Sequence, residues 1–163
     1  RYAALKGGSV AATIMAPPFT FRSQKDGFRK LVTFHDVLGP IDFVVSFAHD
    51  DYIKNNRPEL VKFAKAMIEA SRWLYDAKNH EEALAIHVKY LKGNREGAET
   101  DYKYLVEEFK PWPVDGTTSK QGMDKTMELR VKANKYEGKK APPLSHYIDY
   151  SIVDDAKKEL GIR

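Results

Sequence analysis

Cysteine is absent from the 163 residues, which removes disulfides, thiolate metal sites and cysteine nucleophiles together. No apolar run reaches the ~20 residues that a membrane-spanning helix needs. The longest, from Val10 to Phe19, is short and interrupted by Pro17 and Pro18. No phosphate-binding loop, dinucleotide fingerprint, nucleophile elbow or zinc-protease helix occurs. The sequence therefore lacks the constellations by which many enzymes announce themselves. A net charge of +4 is mildly basic, but the lysines and arginines are spread among acids along helical faces. Without a concentrated basic stripe, nucleic acid is not an expected partner. The balance of 42% hydrophobic and 31% charged residues is that of a folded globular chain, not a disordered one. The first residue is Arg1 rather than Met and no signal peptide follows, so the sequence is expected to be the middle of a longer polypeptide.

What is present divides unevenly. Three strands are expected, all before residue 50: 10–15, 30–34 and 42–48. The first is a continuous apolar run of the kind buried on both faces. The third carries Phe43, Val44, Val45 and Phe47, residues with strong β preference. Between the first two strands a helix is expected from about Thr20 to Lys30, closing at Gly27, with a short helix end before Gly7 and Gly8. That order makes a βαβ crossover, the unit of a parallel sheet. Gly39 and Pro40 break the chain before the third strand.

After residue 50 helices and loops are expected. Asn56 and Pro58 form a start signal, followed by a stripe of Leu60, Ala64, Met67, Ile68, Ser71, Leu74 and Tyr75. Asn79 with Glu82 resembles a capping box. Ala83, Ile86, His87, Tyr90 and Leu91 form the next stripe, stopped by Gly93. Ala98, Tyr102, Leu105, Val106 and Phe109 form a third, ended by Pro111. Ser119 opens a fourth, with Met123, Met127 and Val131 inward. A polar stretch at 137–140 leads to Pro142 and Pro143. Asp149 and Ser151 then precede a last helix with Val153, Ala156 and Leu160. No repeat period recurs.

The sites follow from the crossover. Ligands of parallel sheets bind at the carboxyl ends of strands, and the corner Ala16, Pro17, Pro18, Phe19 stands at such an end. Its prolines stiffen the backbone; Met15 and Phe19 are expected to enclose a ligand, and Thr20 to cap the next helix or meet an anion. Alternatively, Phe19 belongs to the core of a plain turn. His35 and Gly39, after the second strand, form a second candidate. His35 beside Asp36 suggests acid–base chemistry, but neighbours on an extended segment face opposite ways. A hinge needing the freedom of Gly39 is the preferred reading there. His80 and His87 stand seven residues apart, a poor spacing for a metal, and no metal is expected. His49, Asp50 and Asp51 read as a helix start, Trp73 and Tyr75 as core, and Trp112 as a loop pin.

Three segments in order carry a family resemblance. Ala4, Leu5, Gly8, Val10, Ala11, Ala12, Pro17, Pro18, Gly27, Phe28 and Leu31 make the first. The second is Asn56, Pro58, Glu59, Val61, Phe63, Ala66, Ala70 and Trp73. The third, Tyr147, Asp149, Asp155, Ala156, Leu160 and Gly161, closes the chain. Together they resemble the second half of a periplasmic solute-binding protein of an ABC importer, of the family that binds taurine, alkanesulfonates, nitrate and thiamine-pyrimidine precursors. One departure is Ala11, where the family commonly has aspartate.

The resemblance implies an α/β fold, the C-terminal part of a two-lobed periplasmic-binding-protein fold (type II-like), with few parallel strands followed by several helices. Residues 1–38 would end the second lobe. Residues 39–163 would form the return crossing and the C-terminal helical segment of the first. It implies a non-catalytic, extracytoplasmic protein that closes two lobes about a hinge over a small organic molecule, with Met15, Ala16, Pro17, Pro18, Phe19, Thr20, His35 and Gly39 at the cleft. Its partners would be that ligand and a membrane permease. The membrane would be reached only through the permease or a lipid anchor outside this chain, and no cofactor is implied. Two other readings are an enzyme of thiamine-pyrimidine synthesis, whose group carries a cysteine-rich iron motif that this chain lacks, and a small α+β interaction module.

Overall fold

The structure is a computed structural model that describes residues 1–42, 44–133 and 143–162. Among the described residues it is helical, with α1 Tyr2–Lys6, α2 Phe19–Lys25, α3 Phe34–Leu38, α4 Asp50–Asn55, α5 Arg57–Tyr75, α6 His80–Leu91, α7 Arg95–Tyr102, α8 Lys120–Lys132 and α9 Ser151–Glu159. No strand occurs among them, so the expected α/β class with parallel strands is corrected. The runs 10–15 and 30–33 and the described part of 42–48 are irregular backbone, and the expected second strand gives way at Phe34 to α3. A strand satisfies its N–H and C=O groups through a neighbour, and none of these runs has one. Their apolar side chains stand in solvent instead: Ile14 is 58%, Leu31 76%, Val44 84% and Phe47 95% exposed. β preference measures fit to a pleated, half-buried surface, and no such surface forms here. Phe43 and the polar stretch 137–140 with Pro142 lie outside the described residues.

The chain forms two compact units, Arg1–Thr33 with Leu74–Pro111, and Phe34–Trp73 with Trp112–Arg163. In the first, α6 and α7 pack together, and Ala83, Leu84, Ala98, Tyr102 and Val106 are buried. The expected stripe of α6 is rotated: Leu84 is 2% exposed while Tyr90 and Leu91 face water. The helix packs on the face that carries His87, whose ring meets Asp101. The helix also starts differently. Asn79 makes no side-chain cap to α6, because a 3-10 turn, Ala77–Asn79, feeds into it. The capping oxygen belongs to Asp76, which accepts from Lys78 N–H at 3.2 Å. At its other end the left-handed residue is Lys92, with φ 53°, and not Gly93. Asn94 caps α7 by accepting from Gly97 N–H at 2.8 Å. Beyond Tyr102 the helix widens to a π-helical segment, Lys103–Phe109, whose last bond runs from Lys110 N–H to Leu105 O.

In the second unit α5 begins one residue after Asn56, with Pro58 in its first turn, where a missing N–H costs nothing. Its buried residues Val61 and Ile68 meet Ala156 of α9, with Ala64, Ile152, Leu160 and Ile162 packed around them. Met67, expected inward, is 46% exposed. At the rim Arg57 donates to Asp155 at 2.6 and 3.2 Å and to Ser151 at 3.0 Å, and Lys65 pairs with Glu159 at 2.8 Å. Such exposed pairs are worth about 0–1 kcal/mol each, so the apolar contact carries the docking of α9. Ser119 caps α8 as expected, accepting from Gly122 N–H at 3.0 Å. Met123 is buried, but Val131 is exposed. No described helix is long and apolar enough to cross a membrane.

Candidate functional site

The proline corner lies in the first unit, between irregular residues 10–16 and α2. The peptide between Pro17 and Pro18 is cis, and α2 opens directly at Phe19. It closes at Lys25, short of the expected Lys30. Gly27, at φ +89°, lets its own N–H reach Gln24 O and that of Phe28 reach Ser23 O, both at 3.0 Å. Those two bonds are the closing pattern of a helix with a left-handed residue just past its end. Thr20 is half-buried and does not cap the helix, whose N-cap position is Pro18.

Around the corner the helices gather side chains that spacing alone did not connect. Ser23, buried on α2, donates its hydroxyl to Met15 Sδ at 3.3 Å and ties the approach segment down. Phe19, half exposed, meets the ring of Tyr2 from α1 at 5.9 Å between centroids. One turn along α2, the Arg22 guanidinium lies 4.7 Å from the Tyr2 centroid, a cation–π distance. Tyr2 and Lys6 both donate to Asp26, Lys6 at 2.9 Å. The bond from Tyr2, then that from Lys6, holds the Asp26 carboxyl below its usual range, and Asp26 in turn raises Lys6. The edge-on contact of Phe21 with Tyr104 at 5.3 Å and the pair Lys25–Glu96 fasten α2 to the helix that runs from α7. The outcome is two aromatic rings, the Arg22 guanidinium and a Lys6–Asp26 ion pair beside a stiff apolar turn. That chemistry suits recognition of an organic group, by stacking and by charge.

His35 and Gly39 belong to the second unit. His35 is exposed on α3, a helix where a strand end was expected, so the extended-backbone argument about His35 and Asp36 does not apply. Gly39, with Leu38 and Pro40, lines a groove of about 620 Å³ whose other wall is α8, with Lys120, Asp124, Lys125 and Glu128. Near the start of α8 stands Asp42. Burial raises its carboxyl above the usual range, while the Ser119 N–H pulls the other way, and its Oδ2 has no protein partner. The groove's charges neutralise one another: Lys120 with Asp124 at 2.6 Å, Lys125 with Glu128 at 2.9 Å.

The two histidines of α6 form a third cluster. His80 places Nε2 3.2 Å from Glu99 and Nδ1 3.3 Å from Glu81. His87 Nε2 lies 2.9 Å from Asp101, which is 6% exposed. Seven residues along one helix therefore bring each ring to a different acid of the helix alongside, and neither meets the other over a metal. Atoms of His80, Glu81 and Glu99 do come within 4.8 Å of one another. The two carboxylates approach opposite ring nitrogens, however, and Arg95 already holds both, Glu81 by two bonds of 2.8 Å and Glu99 at 3.2 Å. A guanidinium occupies the place a cation would take, and it holds Glu81 below the usual carboxylate range. The cluster reads as an ion-pair network. Comparison with protein-family models, curated proteins and solved structures finds no match in any of the three.

Proposed function

We propose that this chain belongs to a solute-binding component of an ABC importer, working outside the cytoplasm and handing a small organic molecule to a membrane permease. The observation that carries the reading is the conjunction of three segments in the family's order, from Ala4 to Leu31, from Asn56 to Trp73 and from Tyr147 to Gly161. The reading rests on these residues and not on a sheet. Local structure at two of the segments supports it. Asn56 immediately precedes α5, and Asp149 accepts from Ser151 N–H at 2.9 Å as α9 begins. The corner supports it chemically, since the half-exposed Phe19 offers an apolar face and Arg22, over the Tyr2 ring, offers charge.

A thermal-shift screen of the purified protein against small organic anions, amines and heterocycles tests the proposal. A true ligand at a hundredfold excess over its dissociation constant adds about 2.7 kcal/mol of stability, which appears as a clear rise in Tm. A protein that melts cooperatively and shifts with no compound in any class would overturn the reading.

A further inference from the structure

Cations and acids are mixed along most of the chain, but residues 1–30 hold six lysines and arginines and a single acid, Asp26. Lys6 is neutralised by that acid at 2.9 Å, and Lys25 pairs with Glu96 of α7. Arg22 differs from both. Its guanidinium lies over the Tyr2 ring and forms no ion pair or side-chain hydrogen bond among the described residues. Asp26, which accepts from Tyr2 and Lys6, acts on Arg22 only through space. Stacking uses the flat face of a guanidinium and leaves its in-plane N–H donors for another partner. Those donors match the two oxygens of a carboxylate in a coplanar fork. Phe19 stands one turn before Arg22 on α2, where residues three apart are neighbours. Its ring is 48% exposed and meets the same Tyr2 ring at 5.9 Å between centroids. Ser23 on Met15 and Phe21 on Tyr104 hold the turn and the helix in place.

We infer that the molecule held at the corner is an aromatic carboxylate, its ring packed on Phe19 and its carboxylate forked on Arg22. The inference rests on the solute-binding reading, whose site it shares and whose ligand class it narrows. Each half of the ligand answers a separate observation. The sign of charge follows from Arg22 and from the one-sided charge of residues 1–30, which draws in anions. A cationic ligand meets Arg22 with only Asp26 to offset it, and Asp26 already serves Lys6. The ring follows from Phe19, because flat rings stack or meet edge-on with an energy beyond the area they cover. An aliphatic acid satisfies Arg22 alone, and an uncharged ring satisfies Phe19 alone. Only a molecule carrying both groups uses both residues.

A matched set of probes tests this by thermal shift and isothermal titration of the purified protein. Phenylacetate and benzoate carry both features. Cyclohexylacetate keeps the charge without the flat ring, and benzylamine keeps the ring with the opposite charge. The aromatic acids should raise Tm and bind about tenfold more tightly than benzylamine, and several-fold more tightly than cyclohexylacetate. Arg22→Gln should weaken them about tenfold or more, the worth of a charge-assisted fork. Arg22→Lys should recover only part of that loss, because an ammonium is a point charge. Phe19→Leu should leave phenylacetate no better than cyclohexylacetate. Both side chains are exposed, so the variants should keep the helical content of the parent. Benzylamine or cyclohexylacetate binding as tightly as phenylacetate overturns the inference, and so does a phenylacetate affinity that ignores Arg22→Gln. If compounds of other classes shift Tm and the aromatic acids do not, the ligand class is wrong and the solute-binding reading stands. If no compound of any class does, both fall.

Discussion

The guanidinium of Arg22 stands 4.7 Å from the centre of the Tyr2 ring, so the first turn of the chain and the helix after the proline corner share one aromatic–cation cluster. Phe19 completes it on the open side. Replacing Phe19 by Ala should cost the fold less than about 1 kcal/mol, because the ring is half exposed. The same substitution should weaken a ligand found by the screen about tenfold, the worth of one lost aromatic contact. Tm with and without the ligand separates the two effects. A collapse of the unliganded protein would return Phe19 to the core and remove it from the site.

Lys92 ends α6 in the left-handed region, at φ 53°, a conformation that costs a residue with a Cβ about 1 kcal/mol. Lys92→Gly should therefore raise stability by about 0.5–1 kcal/mol, seen as a higher denaturant midpoint with an unchanged slope. The adjacent Gly93 does not do this work, and Gly93→Ala should be nearly neutral by the same measurement.

His87 and Asp101 join α6 to α7 from partly and fully buried positions. Asp101→Ala leaves the imidazole without its acceptor and should cost about 1–3 kcal/mol. His87→Leu strands the buried carboxylate and should cost at least as much. The double variant should cost less than the sum of the two, and a double-mutant cycle of unfolding free energies measures the difference. Strict additivity would show that the two side chains do not interact in solution.

Glu128, on the surface of α8, is held by Lys132 and Lys125 at a pKa of about 2, below its ordinary 4.5. A carboxyl depressed in the folded state binds its proton more readily when unfolded. Its contribution to stability is thus complete above the unfolded value near 4.5 and is lost as pH falls through about 2. The group is exposed, so salt should screen the effect. Carboxyl NMR titration at low salt should give a midpoint near 2, rising toward the ordinary value in Lys132→Ala and in high salt. An ordinary midpoint at low salt would mean that the lysines are not in place.

Helix punctuation was the most legible part of the chain. Asn56 before α5 and Ser119 before α8 act within a few residues of themselves, through bonds or a backbone geometry that no distant partner can veto. Gly27 was also read as a helix end, and its positive φ closes α2. Met15 and Phe19 were singled out because the corner was expected to end a strand, and no such strand forms among the described residues. Tyr2, Arg22 and Asp26, which surround the corner, were not singled out, because helical contacts between separate elements leave no mark in spacing. Asn79 and Gly93 show the limit even locally, since a turn through Asp76 and a strained Lys92 took their roles.

The sequence by itself determined the starts of α5 and α8 and the glycine that closes α2, because that capping and turn chemistry is settled by neighbours along the chain. Tertiary structure decided which faces those helices bury, as the rotated stripe of α6 and the exposed Met67 show. It also decided the fate of the β-rich runs. Val44, Val45 and Phe47 have the composition of a strand, but a strand exists only where a second one completes its hydrogen bonds. Among the described residues none does, and the same side chains stand in water.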